Sequence, residues 1–338
     1  MKANLKAISE KLGISQSTVS RALRNHPSIS PETRAKVIET ANEAGYSLKK
    51  SRRGRKSIKA KSHRICALIQ GQSPELEQNS MTYKMLAGIT DAIEAAGGTC
   101  AVNFIEGKDL SRKENYPAIL KEGDCDGIIL MHRFKENEVK KLAKEFPCVS
   151  INYNYKIPNV DSVNAEDTES FQELAEYLYK QGHRKIGYFD IEPEHPRAGK
   201  RIAAYFQAMN ALGMEIDKKT MLSSLEFPGF EEKAKRALPT TGKQATAWMC
   251  GNDYAASRLI NRFAEKGINV PKDISITGFG GVWLPDEKVK LCTMEIHSKN
   301  TGAEAARLLM ERIKNPAAPG KHVFLDCKFI KGNSVSKI

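Results

Sequence analysis

The chain has no CxxC pair, no cluster of histidines, no apolar run of membrane-spanning length and almost no aromatic residue in its first 64 positions. Each absence removes a class of function. The seven cysteines (Cys66, Cys100, Cys125, Cys148, Cys250, Cys292 and Cys327) are odd in number and scattered. That usage argues against a disulfide scaffold and fits buried free thiols in a reducing cytoplasm. His26, His63, His132, His183, His195, His297 and His322 are dispersed, so no metal site is expected. His183, behind Gly182 at a helix-to-strand corner, reads as a structural hydrogen-bonding residue. The N-terminus lacks an apolar signal core, and neither export nor membrane insertion is expected. There is no G-x-S-x-G elbow, Walker A sequence, H-E-x-x-H or dinucleotide fingerprint. Gly278-Phe279-Gly280-Gly281 lacks the glycine spacing for a pyrophosphate. The expectation is a protein that is not an enzyme and carries no cofactor.

What is present is charge, placed unevenly. Residues 1–64 hold 16 Lys or Arg and 4 Glu, a net of +12, whereas the whole chain is formally +13. The remainder is therefore close to neutral. Local concentration of this kind suits neutralisation of nucleic-acid phosphates. RNA is disfavoured because Tyr46 is the only aromatic residue available for base stacking there. A membrane surface is disfavoured because no broad apolar face flanked by lysines is present.

The first 25 residues read as two short helices around a tight turn. Leu5, Ile8 and Leu12 form one amphipathic stripe, Gly13 ends that helix, and Ser15 caps the next. Val19 and Leu23 share the inner face, leaving Gln16, Ser17, Thr18 and Arg21 to point elsewhere. Such groups at a helix start suit pairing with base edges in a DNA major groove. An ordinary helical hairpin with a polar surface gives the same spacing. Ser30-Pro31-Glu32-Thr33 starts a third helix, with serine as cap, proline at N1 and an acid in the first turn. It runs to 43 or 44, with Val37, Ile38 and Ala41 inward. The expected miniature core is Leu5, Ile8, Leu12, Val19, Leu23, Val37, Ile38 and Tyr46.

Residues 49–64 follow as a basic linker, nine of 16 being Lys or Arg and none acidic. Two readings stand for it. Arg53-Gly54-Arg55 enters a narrow minor groove, or the segment is a nonspecific phosphate-binding tether.

From Ile65 onward short apolar runs alternate with amphipathic helices. Strands are expected at 65–69, 99–104, 127–131 and 148–151, with helices at 84–96, 113–121 and 136–145 between them. After a crossover near 160–166 the order restarts: helix 168–181, strand 186–189, helix 198–212, helix 230–238, strand 245–250, helix 254–266 and strand 274–278. Helix 301–314 crosses back and strand 323–329 ends the pattern. This βαβα order makes the fold class α/β: a small all-helical helix-turn-helix domain, then two lobes with mostly parallel sheets. The expected domains are 1–48 for the helical head, 49–64 for the linker and 65–338 for the large domain. Lobe 1 is 65–163 plus a crossover near 293–322, and lobe 2 is 164–292 plus 323–338. A cleft at the strand ends would hold a small polar ligand. Asn152, Glu166, Asp167, Asn252, Asp253 and the helical Arg201 supply carboxylates, amides and a guanidinium suited to a sugar-like molecule. Capping of the next helix accounts equally for Asn252 or Asp253.

The run Ile14-Ser15-Gln16-Ser17-Thr18-Val19-Ser20-Arg21-Ala22-Leu23-Arg24-Asn25 resembles the signature of the lactose-repressor/galactose-repressor family of bacterial transcription regulators. The similarity continues through residues 30–46, Gly182-His183-Arg184-Lys185-Ile186, Arg201 with Tyr205, Asn252-Asp253 and residues 270–279, and so covers nearly the whole chain. The resemblance implies a periplasmic-binding-protein-like effector domain and a homodimer or tetramer on a pseudo-palindromic double-stranded operator. It implies that Gln16, Ser17 and Arg21 read bases while Ser15, Thr18 and Asn25 contact or orient the backbone. Effector contacts would fall on Glu166, Arg201 and Asn252, with Phe227 as a ring-stacking residue.

Three departures from that family matter. Tyr46-Ser47-Leu48-Lys49 and the basic tract replace the usual hinge helix and its wedge leucine, and Arg53 and Arg55 stand in electrostatically. Gly280 and Gly281 follow Gly-Phe where an aspartate usually binds sugar hydroxyls, with Trp283 as an aromatic wall nearby or as a core or interface residue. Asn152 replaces an aspartate often found after the first lobe's last strand, and Glu166 stands at the next such position along. The leading reading is a cytoplasmic, sequence-specific DNA-binding regulator, a repressor controlled by a small saccharide or related metabolite. The alternative is an effector-independent or architectural DNA-binding protein whose large domain serves dimerisation.

Overall fold

A computed structural model describes residues 5–23, 29–43, 62–71, 80–190, 196–217, 220–223, 245–282 and 289–338. Asn25, Tyr46, Arg53, Arg55, Phe227, Trp283 and the expected helix 230–238 lie outside the described residues, as does most of the linker. The chain divides into two compact units, 1–61 and 62–338.

The first unit contains α1 (Leu5–Leu12), α2 (Gln16–Leu23) and α3 (Pro31–Glu43). Gly13 adopts φ +65°, a left-handed conformation that glycine takes without penalty, and so ends α1. The Thr18 backbone N–H donates to Ser15 Oγ at 3.1 Å and the Thr33 N–H to Ser30 Oγ at 3.3 Å, both as N-caps. Ile8, Val19, Ala22, Val37 and Ala41 form the core, with Leu12, Ile14, Leu23 and Ile29 packed against it. Ile38 departs from expectation, being 44% exposed. The inward face of α3 is Val37, Thr40 and Ala41 at i, i+3, i+4, and Ile38 is turned a further 100° around the axis.

Among the described residues the second unit contains two six-stranded sheets. Its strands are β1 (Arg64–Gln70), β2 (Thr99–Ile105), β3 (Gly127–Met131), β4 (Cys148–Ile151), β5 (Val160–Ala165), β6 (Ile186–Asp190), β7 (Met221–Ser223), β8 (Ala247–Cys250), β9 (Ser275–Gly280), β10 (Cys292–Ile296), β11 (His322–Leu325) and β12 (Cys327–Ile330). The helices are α4 (Met81–Ala95), α5 (Ala118–Lys121), α6 (Glu136–Glu145), α7 (Asp167–Lys180), α8 (Pro196–Ala211), α9 (Asp253–Ala264) and α10 (Ser298–Lys314). The sheet orders are β11-β5-β4-β3-β1-β2 and β12-β10-β9-β8-β6-β7. Every pairing is parallel except β10 with β12.

Both faces of the central strands are covered, which is why they read as continuous apolar runs, whereas the edge strands β2, β11 and β12 are partly exposed. In β1, Ile65, Ala67 and Ile69 join one core with α4 and α10, whereas Cys66 and Leu68 join the opposite core. In β8, Ala247 and Met249 face one way and Trp248 and Cys250 the other. All seven cysteines are free. Burial pushes the Cys100 and Cys125 thiols up to about 11, which keeps them unreactive. His183 is buried between Thr246 Oγ1 (2.9 Å from Nδ1) and the Ser336 carbonyl (3.1 Å from Nε2), a structural role. Burial holds its pKa below the usual histidine range.

The chain passes between the two sheets at Glu166, His297 and Asp326. This revises the expected lobes. β5 replaces the anticipated crossover, and the expected single strand 323–329 divides at Asp326. Its first half pairs parallel with β5 and its second half antiparallel with β10. The apolar alternation runs unbroken through the division, so nothing local marks it. Arg312 on α10 closes the first lobe. It donates to Asp161 at 2.9 Å from Nε and 2.6 Å from Nη2, and to the carbonyls of Pro316 and Pro319.

Candidate DNA-reading surface and effector cleft

In the first unit, α2 buries Val19 and Ala22 and leaves Gln16, Ser17 and Arg21 exposed. The three share the outer side because the inner positions are taken by the core. Ser15 Oγ lies 2.7 Å from Ser17 Oγ and 2.9 Å from Thr18 Oγ1, so three hydroxyls form one chain at the helix start. This end of α2 therefore offers hydroxyls, an amide and, one turn on, a guanidinium. The Lys11–Glu43 ion pair, 3.0 Å, ties α1 to α3 away from that face.

In the second unit a cavity of about 330 Å³ opens at the carboxyl ends of the strands, lined from both lobes. The first lobe contributes Thr82, His132, Asn152 and Tyr153, and the second Asp190, Arg197, Arg201, Asn252, Asp253 and Phe279. Asn152 takes φ +67°, uncommon for a side-chain-bearing residue but tolerated by asparagine. Its Oδ1 is buried and has no hydrogen-bond partner among the described residues.

Arg201 is held on three sides. Its Nε donates to Asp167 Oδ1 at 3.3 Å, its Nη1 to the Gly251 carbonyl at 2.5 Å, and its guanidinium lies 4.4 Å from the Phe279 ring centre. Arg197, one helical turn earlier, donates to the same Asp167 oxygen at 3.0 Å. Burial, with Arg201 beside it, holds the Arg197 guanidinium below its ordinary range. Asp253 is buried and accepts from Val282 N–H at 2.6 Å and Thr293 Oγ1 at 2.5 Å. Burial pushes its carboxyl up to about 6, opposed by those hydrogen bonds and by Arg201. Gly280 and Gly281 take φ +138° and +70°, so the loop bends onto Asp253 in a conformation open to glycine. A Cβ at Gly278 would collide with Asp253 Oδ1, and one at Gly281 with Glu295.

Asn152, Arg201 and Asn252 thus meet in one cavity. Asn252 also caps α9, its Oδ1 accepting from Ala255 N–H at 2.7 Å. Glu166 is not part of the lining. It stands at a crossover and caps α7, Oε1 accepting from Thr168 N–H at 2.9 Å. Its own N–H donates to the Leu325 carbonyl. Sequence reasoning missed Asp190, Arg197, His132 and Thr82. Asp190 ends β6, where a strand-end rule finds it, and Arg197 precedes Arg201 by one helical turn. No local signal marks Thr82 and His132, whose side chains pair at 3.1 Å across 50 residues of sequence.

A helix-turn-helix head followed by a two-lobed ligand-binding unit defines a DNA-binding regulator. Residues 4–48 match the model of the bacterial regulatory proteins, lacI family, and residues 175–335 match the periplasmic binding protein-like domain. The chain belongs to the lacI family of bacterial regulatory proteins. It is a sequence-specific DNA-binding transcriptional regulator, not an enzyme. It is 23% identical over 318 residues to the HTH-type transcriptional repressor PurR of Photobacterium profundum, covering 93% of this chain and 92% of that one. The transcriptional regulator CelR in complex with cellobiose superposes with a TM-score of 0.65 at 18% identity, over 98% of this chain and 99% of that one. The lac repressor dimer bound to operator and the anti-inducer ONPF has a TM-score of 0.65 at 16% identity, over 99% and 100%. Among the described residues, no helix is long and apolar enough to cross a membrane.

Proposed function

We propose that this regulator is a cytoplasmic repressor that binds a pseudo-palindromic operator as a homodimer and responds to a small saccharide-like effector held between its lobes. The observation that carries the effector reading is the cavity itself. It combines the preset Arg201 fork, the Asp190 and Asp253 carboxylates and the buried Asn152 Oδ1. A polyhydroxylated ligand both donates and accepts, as that mixture requires. CelR with cellobiose and the lac repressor dimer on its operator support the same assignment by likeness. Asn152, Arg201 and Asn252 are the proposed contacts, with Glu166 acting at the crossover and Phe227 and Trp283 as aromatic walls. A ligand that prefers one lobe closure would bias the dimer and hence the spacing of its two DNA heads.

For DNA, Gln16, Ser17 and Arg21 are the proposed base readers, and Ser15, Thr18 and Asn25 hold the backbone. Residues 1–48 form the reading head, and residues 49–64, with Arg53 and Arg55, tether it electrostatically. In vitro selection from random duplexes tests this reading. The wild-type chain is expected to enrich one inverted repeat. The triple change Gln16→Ala, Ser17→Ala, Arg21→Ala removes that preference while leaving salt-sensitive nonspecific binding. Retention of the same repeat by the triple variant would overturn the assignment.

A further inference from the structure

A second concavity of about 710 Å³ lies beside the effector cavity in the first lobe, and Tyr153 lines both. Its rim carries Lys108, Arg133, Lys135 and Lys156, all exposed. None of the four forms a salt bridge among the described residues. The three carboxylates that share the concavity, Asp109, Glu136 and Glu138, each have a hydrogen-bond or ion-pair partner of their own, and Lys135 and Lys156 also act on Asp109 and Glu136 through space. Glu138 accepts from Leu110 N–H at 2.9 Å and from Lys135 N–H at 2.8 Å. Asp109 accepts from Ser111 N–H at 2.9 Å, and Glu136 pairs with Lys140 at 2.7 Å.

Two of the cations, Arg133 and Lys135, stand on a clamped backbone segment. Phe134 is buried while Arg133 and Lys135 on either side of it are exposed, so both lie on the open side of the segment. The Tyr155 hydroxyl clamps that segment in both directions, accepting from Phe134 N–H at 2.8 Å and donating to the Phe134 carbonyl at 3.1 Å. Tyr153 and Tyr155 stack with ring centres 6.0 Å apart, which makes an aromatic step between the concavity and the cavity. Cations held in place in advance bind an anion at lower ordering cost than mobile ones.

We propose that the groove of Lys108, Arg133, Lys135 and Lys156 is an anion subsite of the cleft, and that the effector is a sugar bearing a carboxylate or phosphate. The hydroxylated ring occupies the inner cavity and stacks toward Tyr153, and the anionic group reaches the four cations. This proposal rests on the effector reading above and adds the ligand's charge.

Calorimetric titration of the full-length chain with glucose, glucuronate, glucose 6-phosphate and inorganic pyrophosphate tests it. At about 50 mM salt, where exposed charges are weakly screened, at least one charged sugar is expected to bind about tenfold tighter than glucose. The better of the two charged sugars distinguishes carboxylate from phosphate. Arg133→Ala and the double change Lys108→Ala, Lys156→Ala are expected to abolish that preference, and these side chains are exposed enough to remove without unfolding the lobe. Equal binding of charged and neutral sugars, or a preference that survives both variants, overturns the subsite. Pyrophosphate, which has no ring, separates this failure from failure of the effector reading. If no sugar binds, pyrophosphate binding that is lost in Arg133→Ala still supports the subsite, and absence of pyrophosphate binding overturns it. Loss of pyrophosphate binding in Arg201→Lys would place the anion in the inner cavity and also overturn it.

Discussion

Asp253 Oδ2 accepts the backbone N–H of Val282 at 2.6 Å, immediately beyond the paired glycines 280 and 281. The acidic group on that side of the cavity therefore comes from the start of α9, and the loop after β9 supplies backbone donors to it. Family resemblance placed a carboxylate on the loop itself. Here glycine stands at that loop position, and the loop gives Asp253 a backbone donor instead.

The Asp253 carboxyl, raised by burial to about 6, makes stability depend on pH with a definite sign. The folded protein holds this proton more tightly than the unfolded chain, whose carboxyl titrates near its ordinary value. The contribution is fully present below about pH 4 and is lost as pH rises through about pH 6, on the order of 2–3 kcal/mol. Asp253→Asn removes the titration. Urea unfolding of both proteins at several pH values is expected to show the wild type losing ground to the variant between those limits and running parallel to it above pH 7. Parallel curves throughout would rule out the raised carboxyl.

Arg201→Lys keeps the charge and loses the planar fork that reaches Asp167, Gly251 and the Phe279 face together. Stability is expected to fall by about 1–2 kcal/mol, while effector affinity falls by more than tenfold, because only the guanidinium arrives preoriented. Melting curves with and without ligand separate the two effects. An unchanged ligand-induced shift would remove Arg201 from the site.

Two glycines bring α4 and α10 together. A Cβ on Gly88 would strike the Lys299 carbonyl, and one on Gly302 the Met85 carbonyl. Neither backbone can swing aside as a side chain does, so Gly88→Ala or Gly302→Ala is expected to cost about 2–4 kcal/mol. Gly199 in α8 meets nothing within 4 Å, and Gly199→Ala is expected to stabilise by about 0.5–1 kcal/mol through helix propensity. Chemical denaturation of the three variants checks the contrast.

The Arg312–Asp161 pair joins α10 to β5 with both side chains buried. Arg312→Ala leaves a buried carboxylate without its cation and is expected to cost about 3–5 kcal/mol. Arg307→Ala breaks exposed pairs on the same helix and is expected to cost under about 1 kcal/mol. Thermal unfolding of the two variants gives the comparison, and equal losses would refute the burial argument.

Much of the fold was legible in local pattern. Gly13, Ser15 and Ser30 mark helix ends because caps and left-handed turns involve residues within about four positions of one another. The central strands of both lobes showed as apolar runs because each is covered on two faces. Ile38 misled because two adjacent apolar residues on a helix cannot share one face, and only packing decides which is buried. Glu166 misled because a polar residue at a strand end looks the same whether it enters a cleft or caps the next helix.

Order and chemistry along the chain were set by the sequence alone: a basic three-helix head with Gln16, Ser17 and Arg21 facing outward, then two α/β repeats. Tertiary structure decided which sheet each C-terminal strand joins, and which strand-end groups share a cavity. The divided strand at Asp326 takes its partners from β5 and β10, and Arg312 meets Asp161 across 151 residues. Pairings that distant are selected by burial and register in the assembled lobes, and no window of neighbouring residues contains them.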